Sequence, residues 1–198
     1  SIRSCGSISN FIISLSNLPK ELKINLISFS CLNGVLLNNN DFANPIPLFS
    51  KINFDPSFSN ISFKKDGKRM AFDICPVNVI LNQFALKLGK NYDENGDFAR
   101  AGTVNFEILT LLNTLPFYES APPKSLGIEW INEHVLPLLE GDHAENILAT
   151  FTEHAAFQIA EIFNQFKLKN VLFTGGGTYN SYLIERIKNK TSTAIIVP

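Results

Sequence analysis

Apolar and polar positions alternate over residues 58–63 and again over 69–74, and Lys64-Lys65-Asp66-Gly67-Lys68 lies between the two runs. A period of two builds strands whose side chains point to opposite faces, and Asp-Gly between two such runs selects a tight hairpin turn. The period then lengthens. Val77, Ile80, Leu81, Phe84, Ala85 and Leu88 recur in steps of three and four, which predicts an amphipathic helix over 77–88 ended by Gly89. Residues 91–102 are polar and read as a loop with an acidic cluster. A helix is predicted over 105–115, stopped by Pro116, and 121–125, with Pro122 and Pro123, reads as a stiff connector. Residues 127–140 read as a helix until Pro137 disturbs it. The longest predicted helix is 144–166, and its stripe of Ile147, Phe151, Ala155, Ile159, Phe163 and Phe166 is expected to pack into a core. A buried strand at 170–174, a helix at 179–190 and a strand at 194–197 complete the chain. Residues 1–50 show no clean period: 36–44 is a polar loop punctuated by Pro45 and Pro47.

A hairpin, several helices and then strand–helix–strand predict an α/β or mixed layered domain. With 198 residues and 45% hydrophobic content, the chain can bury a core of about one domain. The last predicted strand runs to Pro198 with no helix after it, so the chain is expected to be cut short there. A net charge of −1 gives no global electrostatic case for nucleic acid or an anionic membrane. No apolar run is long enough to span a bilayer, and 11–15 lacks the flanks of a secretory signal. Cys5, Cys31 and Cys75 are odd in number, widely spaced and without a CxxC pattern, so neither a disulfide framework nor a metal site is expected, and a reducing cytosol is. His134, His143 and His154 form no metal motif and are expected to be structural or solvent-facing.

Chemistry enters at Val171-Leu-Phe-Thr-Gly-Gly-Gly-Thr-Tyr-Asn180, where an apolar run ends in three glycines and an amphipathic segment follows. Without Cβ atoms, Gly175, Gly176 and Gly177 let a ligand approach the main chain, and the next helix offers free N–H groups and its positive dipole end. Such a junction suits a nucleotide or phosphate. It is equally the shape of a plain strand-to-helix turn, and the spacing fits neither GxGxxG nor GxxxxGK[ST].

Four segments fall in one order: Phe72-Asp-Ile-Cys-Pro-Val-Asn78, Asn91-Tyr-Asp-Glu-Asn-Gly-Asp-Phe-Ala-Arg-Ala-Gly102, Pro122-Pro-Lys-Ser-Leu-Gly-Ile-Glu129 and Phe173-Thr-Gly-Gly-Gly-Thr-Tyr-Asn180, with Phe58-Ser-Asn-Ile-Ser62 upstream. Together they resemble the C-terminal part of the anhydro-N-acetylmuramic acid kinase family, over residues 58–197. The resemblance implies an actin/hexokinase-like (ribonuclease H-like) sugar kinase fold, of which residues 51–198 are mainly the second α/β lobe, incomplete, and residues 1–50 a remnant of the first lobe or a linker. It implies ATP with Mg2+, a sugar substrate whose 1,6-anhydro ring is opened by water and phosphorylated at O6 in cell-wall recycling, a homodimer, and a cytoplasmic location. Gly175–Gly177 match the family's adenosine-side loop. Asp73 and Asn78 match a motif near the catalytic cleft, against which stands a turn or helix-cap pair. Lys124 and Glu129 match a segment assigned to the sugar side, against which stands a loop salt bridge or cap. Asp93, Glu94 and Asp97 read as structural, with Arg100 placed to pair with them.

The departures from that family are as informative. Its opening glycine- and threonine-rich phosphate motif has no counterpart here, nor has its general-base aspartate; Asp41 and Asp55 are nearby carboxylates outside the motif. A second phosphate loop reads Asn53-Phe-Asp-Pro-Ser-Phe-Ser-Asn-Ile-Ser62, with Pro56-Ser57 in place of a glycine pair. Proline removes an N–H donor and serine resists positive φ, so a cradle of backbone amides is impaired. Cys75 and Val77 also replace glycines. Two function classes follow: a sugar kinase represented by an incomplete chain, and a non-catalytic remnant retaining a nucleotide-binding or dimerisation lobe. Without a first domain, an apolar wall is expected to favour self-association.

Overall fold

The computed structural model describes residues 25–29 and 58–197. The predicted hairpin is β2 (Phe58–Lys65) and β3 (Lys68–Pro76). Asp66 and Gly67 take φ of 50° and 78°, the two positive values that a tight twisted hairpin turn requires and that Asp-Gly supplies. After Val77 the chain enters α1 (Asn78–Lys87), and Gly89 at φ 79° closes it while Lys90 N–H donates back to the Ala85 carbonyl.

The region read as a polar loop contains a short helix, α2 (Asp97–Ala101). Its start is built by Asp93, whose carboxylate accepts from the Phe98 and Ala99 N–H groups at 2.8 and 3.0 Å. Then come α3 (Phe106–Asn113), capped by the Asn105 side chain, and α4 (Pro116–Glu119). Pro116 therefore begins a new turn as well as ending the previous helix, since a first-turn residue needs no N–H donor. The helix expected over 127–140 is divided into α5 (Ile128–Trp130), a π turn (Ile131–Val135) and a 3₁₀ turn (Leu136–Leu139) around Pro137. The longest helix, α6 (Ala144–Gln165), runs as predicted. After β4 (Asn170–Thr174) the glycine segment forms a 3₁₀ turn (Gly176–Tyr179), and α7 (Ser181–Lys188) and β5 (Ala194–Ile196) follow.

The five-stranded sheet has the order β3-β2-β1-β4-β5, with β1 (Asn25–Phe29) at its centre. β1 pairs antiparallel with β2 and parallel with β4, and β4 pairs parallel with β5. The first fifty residues, which show no clean period, thus supply the middle strand. Ile61, Phe72, Ile74 and Phe173 are buried with Ile80, Phe84, Phe151, Ile159 and Phe163 in one core. The stripe of α6 from Ile147 to Phe163 lies in that core, as its spacing predicts, Phe166 just past the helix end packs partly buried against it, and α1, α2, α3 and α7 pack around α6. The phosphate-loop residues Pro56 and Ser57, together with Cys5, Cys31, Asp41 and Asp55, lie outside the described residues.

Candidate functional site

Register brings the scattered motifs to one edge of the sheet. Asp73 on β3 stands opposite Asn60 on β2, Asn60 opposite Ser28 on β1, and Ser28 opposite Thr174 on β4. Thr174 is the last residue of β4 and Gly175 follows it. The row therefore lies at the carboxyl ends of the parallel strands, where α/β sheets hold ligands. Three interstrand steps separate Asp73 from Thr174, about 14 Å.

At one end of this row is the glycine turn. Gly175 is exposed with φ 89° and ψ 176°, a conformation open to glycine and strained for other residues. Its carbonyl accepts from both Thr178 N–H (3.2 Å) and Thr178 Oγ1 (2.7 Å), and Asn180 N–H donates to the Gly177 carbonyl at 3.1 Å. Asn180 is buried and its side chain accepts from Leu183 N–H at 2.9 Å, which starts α7. Tyr179 is left 81% exposed beside the turn, an apolar ring face open to a ligand.

The other end joins two motifs that are far apart in sequence. Asp73 N–H donates to the Lys124 carbonyl at 3.0 Å, and the Asp73 carboxylate accepts from Leu126 N–H at 2.9 Å. The segment carrying Lys124 and Glu129 is thereby tied along β3. Asn78 begins α1, whose N-cap position is Val77 and carries no side-chain cap bond. Lys124 Nζ donates to the carbonyls of Phe117 (2.9 Å) and Tyr118 (3.3 Å) and sits 4.5 Å from the Phe117 ring centroid. Burial lowers the Lys124 pKa. Its ammonium closes the end of α4, so of the two structural roles weighed for it the cap is the one formed. Glu129 is exposed, and its carboxylate folds over Gly127, where a Cβ would stand 2.7 Å from Glu129 Oε2.

Behind this end lies a buried polar cluster that spacing alone does not reveal. His154 Nδ1 is 2.7 Å from Asn113 Oδ1, and His154 Nε2 is 2.9 Å from the Tyr118 hydroxyl. The Asn113 oxygen only accepts, so Nδ1 carries the proton and Nε2 accepts from the tyrosine. Burial holds His154 neutral, with its pKa down to about 3, and pushes the Tyr118 pKa well up. His154 is thus structural, as expected.

The acidic segment is structural too, with one correction. Burial raises the Asp93 pKa, opposed by the Phe98 and Ala99 N–H groups it accepts from. Arg100 does not pair with this segment; its guanidinium meets Glu185 on α7 at 2.7 Å. Asn180 is the positioning residue missed in the sequence. Its signal was there: asparagine directly before Ser-Tyr-Leu-Ile is a helix start. Among the described residues no group of three or more His, Cys, Asp or Glu side chains is arranged to hold a metal. No helix among them is long and apolar enough to cross a membrane.

A glycine turn at the carboxyl end of a parallel strand, in a sheet backed by helices, defines an α/β lobe. The family model described as anhydro-N-acetylmuramic acid kinase matches residues 52–197, and the chain belongs to that family. Membership makes this a kinase lineage with a sugar kinase fold of the actin and hexokinase type. The anhydro-N-acetylmuramic acid kinase of Bacillus cereus (strain AH820) is 36% identical over 136 residues, covering 64% of this chain and 36% of the relative. That of Bacillus cereus (strain G9842) is 38% identical over 129 residues, covering 60% and 34%. The chain thus spans about a third of the length of these relatives. A solved structure described as the activator of the 2-hydroxyisocaproyl-CoA dehydratase from Clostridium difficile with bound ADPNP is similar over 91% of this chain and 55% of that one, with a TM-score of 0.46 and 14% identity.

Proposed function

We propose that this chain carries the second lobe of an ATP-dependent kinase that hydrolyses and phosphorylates 1,6-anhydro-N-acetylmuramic acid to N-acetylmuramic acid 6-phosphate in cell-wall recycling. Residues 25–29 belong to this lobe as β1, the central strand of its sheet, and on this reading the rest of residues 1–50 belong to the first lobe or the link to it. The observation that carries the reading is the convergence of the family's motif residues, from Asp73 to Gly175, on one sheet edge. That edge is long enough for a nucleotide at the glycine turn and a sugar near Asp73, Lys124 and Glu129.

The glycine turn fits a nucleotide: Gly175 is exposed and leaves main chain open to close approach. ATP would supply the phosphoryl group. Mg2+ would arrive with its phosphates, as a hydrated cation needing few protein oxygens. In this lobe Gly175–Gly177 would hold the adenosine side, Asn78 would stand near the cleft, and Asp73 would fix the loop that presents Glu129 toward the sugar. Lys124, held by two carbonyls, would shape that loop and keep its remaining N–H for the substrate carboxylate. The working protein is a cytoplasmic homodimer on this reading.

A second reading is favoured by two observations. Pro56 and Ser57 stand where backbone amides should grip phosphate, and no aspartate matches the general base. These 198 residues alone would then bind nucleotide without turning over sugar. Titration with Mg·ADP and a coupled assay of ADP release test both readings. Saturable binding with no release above a no-sugar control is the expected result. Release that depends on the anhydro-sugar overturns the non-catalytic reading, and absence of nucleotide binding overturns the assignment of the glycine turn.

A further inference from the structure

We propose that the Asp93–Arg100 segment is a brace that positions the glycine turn, acting through Gly96 and Asn180; its consequence for nucleotide affinity rests on the reading above. The segment is a motif to which that reading assigns no role. It meets the start of α7 at close range. Gly96 has φ 78°, and a Cβ there would stand 2.5 Å from Asn180 Oδ1 and 2.6 Å from Tyr182 Cβ. No side chain fits, so the main chain of Gly96 sits directly on the residue that caps α7. The adjoining Asn95 carbonyl accepts from Ser181 Oγ at 3.0 Å. A few residues on, Arg100 bonds Glu185 at 2.7 Å and lies 4.6 Å from the Tyr182 ring centroid.

The segment is itself rigid. Asp93 is buried, and its carboxylate fixes the first N–H groups of α2. The contact therefore runs from Asp93 through Gly96 to Asn180, and from Asn180 N–H to the Gly177 carbonyl. Asn180 works in two directions at once: its side chain starts α7 and its main chain closes the turn. Moving it displaces the surface on which a nucleotide would lie. Gly96, Asn95 and Asp93 touch no ligand on this reading; they are positioning residues.

Gly96→Ala tests the brace against Gly89→Ala. Gly89 has the same backbone strain, φ 79°, but a Cβ there meets nothing within 4 Å. Both variants are made in the full chain. Amide hydrogen exchange is followed at Asn180 and Leu183, and Mg·ADP affinity is measured by titration. The expected result is fast exchange at these two amides and roughly tenfold weaker ADP binding in Gly96→Ala only, with α6 protection retained. If Gly96→Ala does not fold, Ser181→Ala removes the Asn95 contact alone and should weaken ADP binding about threefold. Unchanged exchange at Asn180 and Leu183, or equal effects in Gly96→Ala and Gly89→Ala, overturns the brace. If the parent chain binds no ADP, the nucleotide reading falls, and the exchange result alone decides the brace.

Discussion

The carboxylate of Asp73 accepts a hydrogen bond from the main-chain N–H of Leu126 at 2.9 Å across a sequence separation of 53 residues. With the Asp73 N–H on the Lys124 carbonyl, this makes a two-point clamp on a loop that runs along an edge strand. A charged acceptor on a partly buried N–H is worth more than an average hydrogen bond. Asp73→Ala is expected to cost about 1–2 kcal/mol, read as a lower denaturant midpoint with an unchanged slope. Asp73→Asn keeps an acceptor oxygen and should cost about half as much. Equal midpoints for Asp73→Ala and the parent chain would show that the carboxylate half of the clamp contributes nothing.

Lys124 separates a structural role from a binding role in one variant. Its ammonium holds the Phe117 and Tyr118 carbonyls of α4 and lies over the Phe117 ring. Lys124→Met keeps an unbranched side chain and removes the donors and the cation over Phe117; the Phe117 carbonyl keeps the Ser120 N–H at 3.3 Å, while the Tyr118 carbonyl loses this donor. A loss of about 1 kcal/mol lowers Tm by roughly 2–4 °C in a chain of this size. This drop is expected without any sugar present, and a differential scanning calorimetry trace overlaying the parent's would assign Lys124 to substrate alone.

Local patterns carried the elements and left their meetings hidden. The hairpin, α1, α6 and β4 were legible because their periods of two or three to four are strong, and because Asp66-Gly67 and Gly89 punctuate them. β1 was not: Asn25–Phe29 is too short for its period to tell a strand from a loop, and its place is decided by pairing with β2 and β4. The clamp of Asp73 on Leu126 and the pairing of Arg100 with Glu185 join segments that spacing cannot relate. The motif segments themselves were found in order, and the fold explains why they travel together: three of them, with Asn60, reach the carboxyl edge, and the fourth carries the brace behind it.

His154 gives the fold a dependence on pH. The folded pKa is lowered from 6.5 to about 3 by burial, so the unfolded chain binds a proton that the folded chain refuses. Stability is therefore full above about pH 6.5 and is lost as pH falls toward 3, by up to about 1.4 kcal/mol per pH unit. Glu153 adds to the loss at lower pH. Burial works against its charged form, but the bonds from Arg186 and Lys190 prevail and hold its pKa below 4.5, so its contribution disappears as pH falls through that lower value. The window from pH 6.5 to 5 lies above the Glu153 loss, and Asp93, whose pKa burial raises, acts with the opposite sign as pH falls, so the histidine is read from the difference between His154→Gln and the parent. His154→Gln, which can still bond Asn113 or Tyr118, is expected to flatten urea midpoints across that window. A slope equal to the parent's would place the titration elsewhere.

Cys75 should be chemically silent in the folded protein. It is fully buried on β3, and desolvation raises its pKa to about 12, opposed by its bond with Ser59. Ser59 Oγ sits 3.2 Å from the sulfur and donates to the Cys75 carbonyl at 3.0 Å, so the pair is locked across the hairpin. The thiolate is the reactive form, and both its formation and a reagent's access are blocked. In a chain carrying Cys5→Ser and Cys31→Ser, labelling of Cys75 is expected to wait for opening of the β2–β3 hairpin. The rate should then rise with urea in step with unfolding, because that hairpin shares its core with α6. Rapid labelling in buffer, independent of denaturant, would mean that β3 opens locally and that the sheet edge carrying Asp73 is looser than its hydrogen bonds require.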